Sequence, residues 1–233
     1  MRSPQSVKGL ETLGRVRLSE NFYLRDFLYS EIASMTGLAN IPEHPDLAIA
    51  AGSALCQHLL EPLQARFGRL AIRSAYRSPQ VNAFGNAHKL NCASNAANHA
   101  GHIWDYRDAA GRMGATACII VNSFVPYYER SGDWEAMAWW VHDHLPYHQM
   151  QFFPRYGAFN LQWREEPARE IYSYIPPRRG WMTRGGMDNW GGRHDDAYAG
   201  MLAEMTPLTS PRKGGGIGRS GDEIPTRNRR DAG

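Results

Sequence analysis

The sequence predicts an α+β domain, a small and mostly antiparallel sheet flanked by helices. Three observations carry this. Apolar residues recur at helical spacing from Leu47 to Phe67; short segments at residues 70–72, 148–153 and 158–163 have the length and alternation of strands; and Trp134 to His144 reads as a second amphipathic helix.

In chain order, residues 1–17 read as a flexible arm. In LSENFYLRDF (18–27), Ser19 precedes acidic and apolar residues as a helix start would, with Phe22, Leu24, Phe27 and Leu28 as the buried face. Pro42 and Pro45 punctuate the chain, and Asp46 can cap the next helix. Its apolar positions are Leu47, Ile49, Ala50, Ala54, Leu55, Leu59, Leu60 and Leu63; Pro62 kinks or restarts it, and Gly68 ends it. Leu70 and Ile72 alternate with arginines in a short strand that turns at Ser78-Pro79 into another helix. Residues 85–98, rich in Asn, Ala, Gly and Ser, read as a loop. HIWDYRD (102–108) has strand composition, whereas 115–128 gives mixed signals. HQMQFF and AFNLQW read as two strands joined through Pro154 to Gly157. The main domain is expected at 18–165, an irregular extension packed on it at 166–205, and a disordered tail from 206.

The chain has 233 residues, 42% of them hydrophobic, enough for one real core. A formal net charge of +3 argues against nucleic acid as the partner. Cys56, Cys92 and Cys118 form no Cys-x-x-Cys pair, so buried thiols in a reducing compartment are expected. The N-terminal segment lacks the apolar core of a secretory signal, and the most apolar stretch, 117–125, is too short to span a bilayer. A protein cytoplasmic as synthesised is therefore expected.

Histidine carries the chemistry. Nine are present, and NHAGHIWDYRD places His99, His102 and Asp105 in one short passage. Catalytic zinc takes three such ligands and keeps a fourth position for water, whose proton a carboxylate then accepts. Spacing alone makes His142 and His144, on one helix, structural rather than ligating.

Several short segments follow one another in an order that resembles the D-alanyl-D-alanine carboxypeptidase-like zinc peptidases. They are LSENFYLRDFL, LEPLQARFG, RSAYRSPQVN, HAGHIWD, and LPYHQMQFF followed by AFNLQW; together they cover about residues 18–165. The family pattern is Ser-x-His-x-x-Gly-x-Ala-x-Asp followed by a strand bearing Trp-x-His. The resemblance implies the hedgehog/DD-peptidase fold, zinc as cofactor and peptidoglycan peptide as partner. It makes Asp105 a metal ligand, since Gly101 stands four residues before it, and Arg77 the catalytic and substrate-binding arginine, whose forked charge suits a carboxylate or an oxyanion. Tyr76 and Gln151 join it as substrate-binding candidates. Without a gap, Asn98 falls on the histidine of the motif and Ala96 on its serine; with a one-residue deletion His99 takes the place and is preferred. His102 is the next metal candidate, with His148 and Asn160 as alternative third ligands.

The chain departs from the family at the last strand. Asn160 stands where the third histidine belongs, and no acidic residue lies between His144 and Glu165 to act as general base. Loss of such a base costs about a hundred- to ten-thousand-fold in rate. Two readings follow: a zinc peptidase with a rearranged ligand, or a non-catalytic descendant that binds peptidoglycan peptide or serves as a structural part of a phage-like particle. The missing export signal fits a phage- or prophage-encoded protein that reaches the wall by another route. Weak or no peptidase activity is expected.

Overall fold

A computed structural model describes residues 1–205. It is an α+β structure whose six-stranded sheet has the order β1-β2-β4-β3-β5-β6. The strands are β1 (Leu70–Ser74), β2 (Gly114–Val121), β3 (Gln149–Phe152), β4 (Phe159–Arg164), β5 (Glu170–Ser173) and β6 (Gly180–Thr183). All neighbours are antiparallel except β3 and β5.

The long apolar stretch forms a nearly continuous helical rod. It comprises α3 (Pro45–Leu55), a π-helical turn over Cys56–Leu60, and α4 (Glu61–Phe67). Pro62 has no N–H to give the carbonyl four residues back, so the ladder widens just before it, and the Glu61 N–H reaches the Cys56 carbonyl instead. Ala48, Ala51, Leu55, Leu59 and Leu63 on this rod are fully buried. They share one core cluster with Ile119, Met150, Leu161 and Ile171 from the sheet. Burial of each larger aliphatic side chain among them contributes roughly 1.5–3 kcal/mol, the alanines less.

The second amphipathic helix is α8 (Glu135–His144). It holds the C-terminal helix α9 (Asp195–Glu204) through buried Asp143, which accepts the His194 Nδ1–H at 2.8 Å and the His194 backbone N–H at 2.6 Å. Burial raises the Asp143 pKa, but these bonds and the Tyr198 hydroxyl outweigh it and keep the carboxyl below its usual range. Trp139 stacks on the His194 ring at 3.9 Å. Among the described residues no helix is long and apolar enough to cross a membrane.

Several expectations are corrected. The arm carries a helix, α1 (Val7–Gly14), capped by Ser6 and anchored by fully buried Leu13. The 18–27 segment forms only a short 3-10 turn, Leu24–Phe27, because the Leu18 and Ser19 amides bond back to the Phe22 carbonyl. Residue 165 is no structural edge, since β5, β6 and α9 continue the same sheet and core. The mixed stretch 115–128 is the interior strand β2, next to the edge strand β1, followed by α7 (Val125–Ser131). The expected disordered tail lies outside the described residues.

HIWDYRD is not a strand. The chain curls on itself there: the Ala100 N–H donates to the carbonyls of Ile103 and Tyr106, and the Ile103 N–H to that of Asn98. The outer carbonyls of the curl then serve the sheet, because the Arg77 N–H bonds His102 O at 2.8 Å and the Thr116 N–H bonds Gly101 O at 3.0 Å. Buried Ala100 holds a φ of 53°, a left-handed conformation that costs a non-glycine residue about 1 kcal/mol and persists only where the surroundings enforce it. Gly114 supplies the room. A Cβ there would stand 2.3 Å from Ala100 O and 3.0 Å from Trp163 O, both backbone atoms. Gly114→Ala is therefore expected to destabilise the fold by roughly 1–3 kcal/mol, read as a lower urea midpoint at unchanged slope.

Candidate functional site: a transverse row on the open sheet face

Register places one residue of every strand in a single row across the sheet: Ser74, Cys118, Asn160, Gln151, Tyr172 and Trp181. Strand alternation puts these side chains on the face opposite Ile119, Leu161, Met150 and Ile171. With strands about 4.8 Å apart, the row runs about 24 Å.

The middle of the row is an amide ladder. Asn160 Nδ2 donates to Gln151 Oε1 at 3.0 Å, Gln151 Nε2 to Gln149 Oε1 at 3.1 Å, and Gln149 Nε2 to Glu170 Oε2 at 3.3 Å. At the β1 end, Arg73 and Arg77 lie close enough to favour the Cys118 thiolate, but burial outweighs them and the thiol titrates above its usual range.

His102, in the curl beside Arg77, is buried, and its Nδ1 lies 2.6 Å from the Ala75 carbonyl. A carbonyl can only accept, so Nδ1 carries the proton and Nε2 keeps its lone pair. Burial, helped by the Arg77 charge, pushes the pKa down to about 3 despite the bond to Ala75. The imidazole is thus neutral at physiological pH.

Asp105 lies on the other side of the curl and is fully buried. Its Oδ2 accepts the backbone N–H groups of Glu43 at 2.7 Å and His44 at 3.3 Å. Its Oδ1 and the buried Tyr76 hydroxyl both lack a hydrogen-bond partner. The two groups influence each other's titration from short range while missing bonding geometry. Burial raises the Asp105 pKa against the two backbone bonds that lower it. His99 caps the end of α6 (Asn95–Asn98) and lies flat on the Tyr106 ring, centroids 4.9 Å apart. Tyr106 donates to Glu43 Oε2 at 2.6 Å, and this bond, ahead of burial, pushes its pKa up to about 12.

The candidate residues do not gather in one cluster. Arg77 and His102 adjoin the row, which contains Asn160 and Gln151. Asp105 and Tyr76 face each other beneath the 43–44 turn, and His99 is tied to that side through Tyr106. His148 falls away from Asn160. It stands opposite Trp163 by register, so alternation turns it to the core side, where its Nδ1 meets the Glu166 carbonyl at 3.0 Å and the Ala168 N–H at 3.1 Å. Asn98, the gap-free match to the motif histidine, donates to Asn82 Oδ1 at 2.7 Å. Fully buried Asn82 bonds Asn95 Oδ1 and Ala93 O in turn, tying α5 (Pro79–Ala87) to α6.

This arrangement does not fit a zinc ion. One oxygen of Asp105 is held by two backbone donors, Asn160 offers an amide engaged with Gln151, His99 is stacked, and His148 is on the wrong face. Among the described residues no three His, Cys, Asp or Glu side chains gather as a ligand set. His142 and His144 are both tied into the surrounding fold by hydrogen bonds. His142 accepts the Tyr147 hydroxyl at 2.6 Å and donates to Trp190 O at 2.9 Å, and His144 donates to Trp140 O at 2.8 Å.

No protein-family model, curated protein or solved structure matches this chain. The residues of the row must speak for themselves.

Sequence reading missed Cys118 and the aromatic end of the row. Both become visible only through register, which no local motif encodes. It also missed Glu43 and His44, whose contribution to Asp105 is main-chain and leaves no trace in residue type.

Proposed function

We propose that this chain is a divergent relative of the D-alanyl-D-alanine carboxypeptidase-like peptidases, with a hedgehog/DD-peptidase-type sheet, that binds peptidoglycan peptides along the row without cleaving them. The observation that carries this reading is Asn160. It sits at the centre of the row, at the position where the resemblance calls for a third imidazole, and its amide is bonded to Gln151 rather than left open for a metal. Gln151, Gln149 and Asn160 supply donors and acceptors suited to peptide groups, and Arg77 a fixed positive charge for a terminal carboxylate. No carboxylate stands in the row itself to take a proton from water.

Titration calorimetry with a peptide ending in D-Ala-D-Ala, beside metal analysis of the purified protein, tests this. Binding that weakens at least tenfold in Arg77→Ala, with no stoichiometric zinc and no release of D-alanine, is the expected result. Stoichiometric zinc with D-alanine release would make the protein an enzyme. Absence of peptide binding would remove the reading altogether.

A further inference from the structure

The amides in the middle of the row bond one another, but two arginines at its β1 end have no such partners. Arg73 owes its place to a β-bulge. Ile72 stands opposite Ile119 and Ser74 opposite Cys118, so β1 carries Arg73 as an extra residue. A bulge of this kind sets two residues of one strand against one of the other. Ile72 packs on the core side, and the next two residues, Arg73 and Ser74, both fall opposite Cys118 on the open face. Arg77 reaches the same place from the turn after β1. The His102 carbonyl of the curl holds its backbone N–H at 2.8 Å, and its side chain is half-buried. Its charge is felt at the His102 ring and at the Cys118 sulfur, and Arg73 lies near enough to that sulfur to donate to it.

Among the described residues, neither guanidinium pairs with a carboxylate or donates to a carbonyl. Glu31, at the start of α2 (Glu31–Thr36), also bears on the thiol, but it is exposed and pairs with neither arginine. The sulfur is a weak acceptor and leaves most of the Arg73 fork free. Two like charges brought to one buried thiol without a counter-ion repel each other, and a ligand that supplies the missing charge relieves this.

The donors select the ligand. One guanidinium fork saturates the two oxygens of a carboxylate. A second fork calls for a further oxygen and more charge. A phosphate monoester has both, with three acceptor oxygens and a charge of about −1.5 to −2 near pH 7. The Ser74 hydroxyl, beside Arg73 in the bulge, adds one more donor.

We propose that the Arg73 bulge and Arg77 form a two-armed site for a phosphate-class dianion, free phosphate or the end of a monoester, over Ser74 and Cys118 on the open sheet face. It shares Arg77 with the peptide-binding reading but does not rest on it, because a peptide carboxylate is satisfied without Arg73.

The test titrates inorganic phosphate, phenyl phosphate, acetate and a D-Ala-D-Ala peptide separately into the full chain, by calorimetry at constant ionic strength. Phosphate should bind at least tenfold more tightly than acetate. Arg73→Gln and Arg77→Gln should each weaken it at least tenfold, and Arg73→Lys, which keeps the charge but not the fork, should recover part of the loss. Arg73 is exposed, so the melting temperature of its variants should not move. Phenyl phosphate binding as well as phosphate supports a site for monoesters; phosphate binding alone supports a site for the free ion. No phosphate binding, acetate binding equally tightly, or phosphate binding unchanged in Arg73→Gln overturns the site. Peptide binding that needs Arg77 but not Arg73, without phosphate binding, leaves the peptide reading standing and removes this one. Phosphate binding that needs both arginines, without peptide binding, does the reverse.

Discussion

Acidification from pH 7 to pH 4 should destabilise this protein sharply, and His102→Gln should remove much of the effect. In the folded chain burial, with the Arg77 charge, holds the His102 pKa down to about 3, against an ordinary 6.5. The unfolded chain therefore binds a proton that the folded chain refuses. Stability from this group is complete above pH 6.5 and drains away as pH falls toward 3. The whole interval corresponds to about 4–5 kcal/mol, of which roughly 3 kcal/mol lies above pH 4. His142 and His148 are also lowered, chiefly by burial, and act with the same sign. Glutamine can still donate to the Ala75 carbonyl but carries no titrating group. Denaturant melts at pH 7 and pH 4 should show the wild-type loss shrinking by about 3 kcal/mol in His102→Gln. Should that variant not fold, a wild-type imidazole resonance that stays neutral down to pH 4 gives the same information. Titration of His102 near pH 6.5 would show the argument wrong.

Asp105 should separate a structural carboxylate from a metal ligand. Asp105→Ala leaves the Glu43 and His44 N–H groups without their acceptor in a buried site, at about 1–3 kcal/mol for each, so a loss of roughly 2–6 kcal/mol is expected. Asp105→Asn retains an acceptor oxygen for both and turns an amide donor toward the unpartnered Tyr76 hydroxyl. It should match or exceed the wild type at pH 7. The pH dependence is opposite in sign to that of His102. The raised pKa means that the folded carboxyl keeps a proton the unfolded chain has released. Its contribution is thus fully present below 3.8, is lost as pH rises through the folded value, and is absent in Asp105→Asn. Melting both variants from pH 3 to 7 checks this. Equal damage from Asn and Ala would mean that the charge itself is required, as a metal ligand would require it.

The sequence was legible where periodicity was strong. The 45–67 rod, β1, the β3–β4 hairpin and α8 each repeat one spacing long enough to read. The strand β2 was not, because GATACIIV is buried on both faces and shows no alternation. The strands β5 and β6 have four residues each and lie among prolines, glycines and arginines. HIWDYRD has strand composition, yet its backbone closes on itself because Ala100 and Gly114 let it approach β2, a tertiary fact. Of the candidate site, short motifs singled out Arg77, His102 and Asp105, but not that the curl holds Asp105 on the side away from the other two. What Asp105 holds, and which six residues line up across the strands, depended on main-chain donors and on register.

The parallel pairing of β3 with β5 carries a further consequence. The strand that follows β3 in the chain covers one of its edges, and the other edge is covered only by a strand made later, beyond β4. The order of synthesis is thus not the order of pairing. Until residues 170–173 arrive and dock, β3 presents an open ladder of amides and carbonyls beside Met150 and Phe152. That interval is the one in which a second nascent copy could add its own strand there, so the C-terminal strands shield the sheet from self-association as much as they enlarge it.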